Sequence, residues 1–489
     1  MREKIILLGL FLFTLVFLIN IASASTPIST CSNLTTLGET YTLSENITSV
    51  WNLCIQFKND NITLNCNGFS ITNTTPLGSG YVTMQSYGYN NITVRDCKIN
   101  VNTSGNFYGL KIINSNYSTI YNNTFRANTG IFNIVTEHTI ISNNTFLGCD
   151  YGLKVDNSTN NLIYNNSVTG YGSHGILINM YSKDNLVYEN FVNYTTYGIL
   201  LEWWSSNNSV YNNVVNTANT AFYELHHTYN NRVYDNFFRS NKSTGSDILD
   251  NVTNSNYWNN NVTNANITIF ATGVENITIR DMNISTTLAG GTHIRCFTLC
   301  NITLVNVTYT IDNAYSEYLA VGSYVWRKWY YQVYVNDSSG NPMNGVFISA
   351  YNSSNNKLIT LITNPSGWTD RVEIIDYVRY NGARSYYSNY NINISKEGYK
   401  DFEKLYNVTA FGNKQDTITL TLLPTTELAQ IVLKLIAGIL VLLFLCMIAV
   451  FFASDIANIE VADAIKFMII FFVCLIFAIA TWQFIGELI

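Results

Sequence analysis

Charge is what this sequence has least of. Only 12% of its 489 residues are Asp, Glu, Lys or Arg, about half the share of an ordinary soluble domain. The formal balance of −6 is thinly spread, and without a basic stripe the chain lacks the footprint of a nucleic-acid-binding surface. Histidine numbers five, with no CxxC and no Cys/His cluster, so nothing argues for a zinc site. No motif calls for a cofactor. Proline is equally scarce, at five. The phrase "GSHG" (172–175) lacks the pattern of a nucleophile elbow, and no Ser-His-Asp set declares itself.

Asparagine is what the chain has in excess: 68 residues. Much of it falls in one recurring phrase, "NNLIYNNSV" (160–168), "DNLVYENFV" (184–192), "NNSVYNNVV" (207–215) and "NNRVYDNFF" (230–238), with "STIYNNTF" (118–125) and "TIISNNTF" (139–146) upstream. The last Asn of each phrase is Asn123, Asn144, Asn166, Asn190, Asn213 and Asn236, at steps of 21, 22, 24, 23 and 23. A fixed period of this size is the signature of a solenoid. Between these phrases a Gly precedes alternating apolar residues, as in "YGLKV", "HGILI" and "YGILL". Alternation of period two in short runs indicates strands. Two or three short strands per coil describe a mainly β chain, a parallel β-helix in which each coil buries its apolar side only by stacking on the next. About ten to twelve such coils are expected.

Equivalent residues then lie one strand spacing apart, about 4.8 Å. Asn at one turn position is expected to form a ladder, donating to one neighbour and accepting from the other, and to tolerate left-handed turns. The Tyr before each pair (121, 164, 188, 211, 234) is expected to stack. Weaker coils extend the series to "NITLNCNGFSI" (61–71) and "NITVRDCKI" (91–99) before, and "NITIRDMNI" (276–284) and "NITLVNVTY" (301–309) after. Cys66 and Cys97 occupy comparable positions in their coils, which favours a Cys66–Cys97 disulfide, with Cys31–Cys54 as the second. The stretch 31–54 is placed to cap the solenoid's open end.

The Gly-strand-"NNxIYNN" coil resembles the right-handed β-helix repeats of the NosD-like family of exported proteins, a pectin-lyase-type fold, over roughly residues 30–320. The opening "LGETYTLSENIT…CIQFKNDNITLNCNGFSI" is similar to the entry of such domains in archaeal surface proteins. The resemblance is specific for fold and poor for function. It also implies copper binding, for which Met180 and His226 fall in one column with Trp203 between them. Past Tyr324 the repeat stops, and "YYQVYVNDSSGNPMNGVFISAYN" with "NPSGW", Gly398-Tyr399, Val408-Thr409 and "DTITLTL" resembles the carboxypeptidase regulatory-like domain, a small prealbumin- or Ig-like β-sandwich used as a stalk.

The two ends point to export and a membrane. Residues 1–24 read as a signal peptide, with Arg2 and Lys4, an apolar middle and Ala22-Ser23-Ala24; an uncleaved anchor helix is the alternative. Residues 425–489 hold two apolar runs, about 431–453 and 466–486, each long enough to cross a bilayer. The expected plan is a β-helix over 25–324, a β-sandwich over 325–424 and a transmembrane hairpin, with the ectodomain outside the cell. Two spans where one would tether suggest a membrane-protein partner. Of nine Cys, seven precede the spans, so one is left free or pairs with another chain. About 25 Asn-x-Ser/Thr sequons occur, roughly twice the chance expectation, and glycans are expected at positions such as Asn61, Asn91, Asn122, Asn143, Asn165, Asn193, Asn207, Asn276 and Asn301.

Alternation also orients the third strand of the coil. Asp156, Asn179 and Glu202 are expected in one outward column, with Glu224 of "AFYEL" next. Lys154, Leu177, Leu200 and Phe222 run beside them, Tyr151, His174 and Tyr197 just before the Gly, and Trp203, Trp204, His226 and His227 at the following turn. Carboxylates among exposed aromatics suit sugar binding. Surface polysaccharide is therefore the expected partner, in an adhesion or envelope component. A glycoside hydrolase using Glu202, Glu224 and Asp156 is the rival: neighbouring rungs suit a retaining pair and two rungs an inverting one. The plain alternative is a solvated solenoid edge with no ligand.

Overall fold

The computed structural model describes residues 25–49, 52–74, 80–101, 105–240, 247–263, 267–284, 292–309, 317–424, 429–441 and 444. Two compact units emerge: residues 1–330 with 373–386, and residues 331–372 with 387–489. The first is the solenoid. One coil runs through strands Leu162–Tyr164, Ser167–Thr169 and His174–Asn179. The next has Leu186–Tyr188, after which its second and third strands merge as Phe191–Glu202. Every strand pairing between these coils is parallel.

The alternation in the sequence becomes three walls around one core. Ile141, Ile163, Val187, Val210 and Val233 stack along the first wall and are fully buried. Phe125, Phe146, Val168, Val192, Val215 and Phe238 do the same along the second. Each such side chain contributes about 1.5–3 kcal/mol relative to exposure. The motif glycine has a packing cause. A Cβ on Gly175 would lie 2.5 Å from Val192 Cγ1 and 2.6 Å from the Gly198 carbonyl oxygen.

The two residues of each Asn pair divide the work. The first takes the left-handed turn, as at Asn122 (φ 56), Asn143 (φ 54) and Asn165 (φ 52). The second forms the ladder: Nδ2 of Asn123, Asn144, Asn166, Asn190, Asn213 and Asn236 donates to Oδ1 of the next at 2.9–3.1 Å, ending on Asn260. A second ladder, Asn161, Asn185, Asn208 and Asn231, was not anticipated from the sequence. Rings of Tyr164, Tyr188, Tyr211, Tyr234 and Trp258 stack at 4.3–5.0 Å. Tyr121 stands apart from this stack, because Ser142 occupies the rung between it and Tyr164.

At the N-terminal end, 31–54 is a coil in register: Ser32–Leu34 pairs with Ile55–Phe57, and Thr40–Leu43 with Thr63–Asn65. The structure bonds Cys31 to Cys54 and Cys66 to Cys97, with Cα–Cα distances of 4.5 and 4.7 Å. Cys149, Cys296 and Cys300 are buried thiols. At the other end the solenoid unit runs six residues past the expected boundary at 324 and takes in hairpin residues 373–386. The reason is electrostatic. Glu317, fully buried, accepts from Arg379 (2.7 Å), Arg384 (2.9 Å) and Tyr377 (2.5 Å), all on that hairpin, and from Tyr309.

In the second unit, Lys357–Ile362, Phe347–Tyr351, Tyr390–Ser395 and Phe402–Tyr406 form an antiparallel four-stranded sheet in that order. Residues 331–337 pair in parallel with Lys414–Leu420. Residues 429–441 are helical. The second expected membrane span and residues 442–443 and 445–453 of the first lie outside the described residues, as does the expected signal peptide. Among the described residues no helix is long and apolar enough to cross a membrane.

Candidate functional site

The third wall, around residues 151–225, carries the side chains singled out above. Tyr151, His174 and Tyr197 share one outward column, and Lys154, Leu177 and Leu200 the next. Asp156 pairs with Asn179, and Glu202 follows Leu201, the partner of Ile178, so these three stand in the third column. The inward residues between them, Val155, Ile178 and Leu201, are fully buried.

Two expected members are elsewhere. Tyr197 pairs with Thr220 and Leu201 with Glu224, so Glu224 points into the core and Leu225 takes the rung beside Glu202. Phe222 likewise pairs with Ile199 in the core, and Tyr223 stands outside in its place. The sequence misleads here because Ala221 replaces the motif glycine. Aligning Glu224 with Glu202 slips the strand by one residue, and one residue of slip exchanges the faces. Inside, Glu224 accepts from Asn231 Nδ2 (2.8 Å), Ser255 Oγ (2.7 Å) and the Tyr257 hydroxyl. Burial pushes its carboxyl up, against these hydrogen bonds. The retaining pair Glu202/Glu224 is therefore not available.

The outward floor is less wet than its position suggests. Asp156 and Asn179 are each 5% exposed, and Leu177 and Leu200 are buried. Asp156 lies 3.3 Å from Lys154 Nζ. Burial raises the Asp156 carboxyl above its ordinary range against the pull of Lys154, and raises Glu202 too, with the Asp156 charge adding to the effect. His174 is stacked on Tyr151 at 4.6 Å and tilted against Tyr197 at 5.2 Å. Burial holds its imidazole below the usual value, against the pull of Asp150. Three buried atoms here have no hydrogen-bond partner: Asp156 Oδ1, Asn179 Oδ1 and His174 Nδ1.

Beside the acidic column the turn widens. One residue, Asn157, separates Asp156 from Ser158, and Ser158 accepts in the ladder that continues through Ser182. In the next three coils the same turn holds two residues: Met180-Tyr181, Trp203-Trp204 and His226-His227. All six are left-handed, with φ between 48 and 66°. Left-handed backbone costs a non-Gly residue about 1–2 kcal/mol. The turn is left-handed in the flanking coils too, at Asn114, Val135, Asn157 and Asn251, and what sets these three coils apart is the six bulky side chains they place in it. Trp203 stacks on His226 at 4.4 Å, and Trp204 lies between Tyr181 (5.3 Å) and His227 (5.5 Å). Trp203 and Trp204 nonetheless remain 42% and 39% exposed. Tyr181 and Tyr223 were missed from the sequence. Aligning the coils on Ser158, Ser182, Ser205 and Thr228 would have exposed the inserted residue and with it Tyr181.

Met180, Trp203 and His226 do share a turn column, but among the described residues no group of three or more His, Cys, Asp or Glu is placed to hold a metal. Of the sequon residues named above, Asn61, Asn91, Asn122, Asn143, Asn165, Asn207, Asn276 and Asn301 are exposed and Asn193 is half-buried.

The right-handed beta helix region model matches residues 38–192 and 129–284, together more than half of the chain. The chain belongs to the right-handed β-helix family. No curated protein matches it by sequence. Among solved structures, this β-helix protein is similar to the tailspike protein of E. coli bacteriophage HK620 in complex with pentasaccharide, at 14% identity, covering 76% of this chain and 74% of that one with a TM-score of 0.43. A double mutant of that tailspike, also with pentasaccharide, gives 14%, 76%, 74% and 0.45. A mutant of the periplasmic alginate epimerase AlgG gives 13% identity, 60% and 79% coverage and a TM-score of 0.37.

Proposed function

We propose that this β-helix protein binds a polysaccharide along the outer floor of its third wall. The observation that carries the reading is the run of three strained aromatic turns beside the Asp156–Asn179–Glu202 column. An exposed apolar patch of this kind on a protein surface marks an interaction site, and convergent polar atoms without partners mark where a ligand's hydrogen bonds go. Sugars fit both: their C–H faces pack on rings while their hydroxyls meet acids and amides.

The remaining plan is proposed on the sequence features already given. The protein is exported by its N-terminal segment, N-glycosylated, and held at the cell membrane by its C-terminal hairpin, which docks on a membrane-protein partner. The second unit is a carboxypeptidase regulatory-like stalk, and the whole is an archaeal NosD-like surface protein serving adhesion or the cell envelope. Exposure of eight of the nine sequon residues named supports the glycan part.

The test is calorimetry of the full chain in mild detergent against a panel of neutral, N-acetylated and uronate oligosaccharides. Trp203→Ala with Trp204→Ala is expected to weaken binding by about tenfold or more, the equivalent of 1.4 kcal/mol or above. Wild-type protein that binds no member of the panel overturns the reading. A hydrolase is the second reading, favoured by the raised carboxyls of Asp156 and Glu202. Two rungs separate them, about 9.6 Å at the sheet spacing, close to the upper end of the inverting range of about 6.5–9.5 Å. New reducing ends that disappear in Asp156→Asn, Glu202→Gln would make the protein an enzyme.

A further inference from the structure

We propose that the floor of the third wall selects sugars rich in hydrogen-bond donors, neutral or N-acetylated, and excludes uronates. The inference rests on the polysaccharide-binding reading and adds the chemical class of the ligand.

The two unpartnered atoms of the acidic column, Asp156 Oδ1 and Asn179 Oδ1, are both acceptors. They sit on neighbouring rungs of the same outward column, on side chains 95% buried. A buried polar atom left unpaired costs about 1–3 kcal/mol. A ligand that places a hydroxyl or amide N–H opposite each one recovers that cost. A uronate carboxylate carries acceptors only and would face these oxygens acceptor to acceptor.

Charge acts in the same direction. The acids that face or border this floor are Asp150, Asp156, Glu202 and Asp250, the last paired with Leu225. On the strands of this floor the one cation is Lys154, which Asp156 already holds at 3.3 Å while its ammonium lies over the Phe132 ring at 4.8 Å; Lys183, exposed, lies past the aromatic turn next to Asp184. Residues 151–225 contain no arginine to take a ligand carboxylate in the bidentate manner that anionic sugars invite. Juxtaposed like charges at an interface cost several kcal/mol. Hydroxyls of Tyr197 and Tyr223 serve as donor or acceptor and do not alter this balance.

The experiment compares three hexasaccharides on the full-length protein in mild detergent: N-acetylglucosamine, mannose and galacturonate oligomers. The neutral or N-acetylated oligomers are expected to bind at least about tenfold more tightly than the uronate, and lowering the salt should widen the gap. Asp156→Asn with Glu202→Gln, near-isosteric and on the outer face, should narrow it, with circular dichroism verifying that the variant is folded. Uronate binding equal to or tighter than the neutral oligomers overturns this inference while leaving the sugar-binding site intact. A gap unchanged in the double variant overturns it as well, because the acids would then not be its cause. Failure of all three oligomers, in contrast, counts against the proposed function itself.

Discussion

Glu202 and Glu224 sit one coil apart in the same wall, and a single residue of register gives them opposite lives. Glu202 is half-buried on the outside, in the column of Asp156 and two rungs from it, and Glu224 is sealed within the core under Asn231, Ser255 and Tyr257. Because burial raises the folded pKa of Glu224 above its unfolded value of about 4.3, the sign follows directly. The protonated form costs nothing at low pH, and the fold loses stability as pH climbs from there through the raised pKa. Glu224→Gln mimics the protonated carboxyl: its Oε1 can still accept from Asn231 and Ser255, while its Nε2 donates to the Tyr257 hydroxyl in place of the bond that hydroxyl now gives. It is expected to leave stability at pH 4 unchanged and to raise the denaturation midpoint at pH 8. Parallel wild-type and variant profiles between those values would show that Glu224 does not titrate. The outward acids are the ones for ligand chemistry, and the Trp203, Trp204 and Asp156, Glu202 variants test them directly.

At the scale of the coil, neighbouring asparagines do different jobs, and substitutions should separate them. Asn190 accepts from both the backbone N–H and Nδ2 of Asn166, and its own Nδ2 donates to Ile163, Tyr188 and Asn213. Asn190→Ala orphans several of these buried groups at once, and at about 1–3 kcal/mol each a loss of about 3 kcal/mol is expected. Asn165, exposed and left-handed at φ 52°, gives up only its turn preference, so Asn165→Ala should cost about 1 kcal/mol. Urea midpoints of the two variants measure the difference, and equal losses would refute the division of labour. The repeated phrase makes the ladder legible in the sequence. Which member supplies it stays open wherever both residues are Asn; Glu189-Asn190 and Asp235-Asn236, where the first is acidic, mark the second as the ladder position.

At the scale of the molecule, the solenoid needs its last coil closed, and Glu317 does this through Arg379, Arg384, Tyr309 and Tyr377. Burial alone would raise its pKa, yet hydrogen bonds from Arg379, Tyr309 and Tyr377 with the charge of Arg384 hold it below the usual carboxylate range. Its contribution is therefore complete above the unfolded pKa and is lost as pH falls through the folded one. Glu317→Gln leaves two guanidinium groups without their anion and should cost about 3–5 kcal/mol at pH 7. The cost should shrink toward acid pH. A pH-independent loss measured by chemical denaturation would assign the effect to packing.

Local chemistry by itself determined the coil: apolar alternation, the glycine that admits the next rung, the Asn pairs and the period of 21–24 residues are all written within each repeat. It also placed Tyr151, His174, Asp156, Asn179 and Glu202 on one face, because a strand's facing follows from parity wherever a motif residue fixes the count. Parity fails without that anchor. At Ala221 only the stacking of Phe222 on Ile199 decided which side Glu224 and Tyr223 occupy. The closing hairpin was beyond the sequence for a related reason: Glu317 and Arg379 are 62 residues apart, and only folding brings them into contact. Register across an unmarked rung and contacts between distant segments are energies of the whole core, and no single repeat contains them.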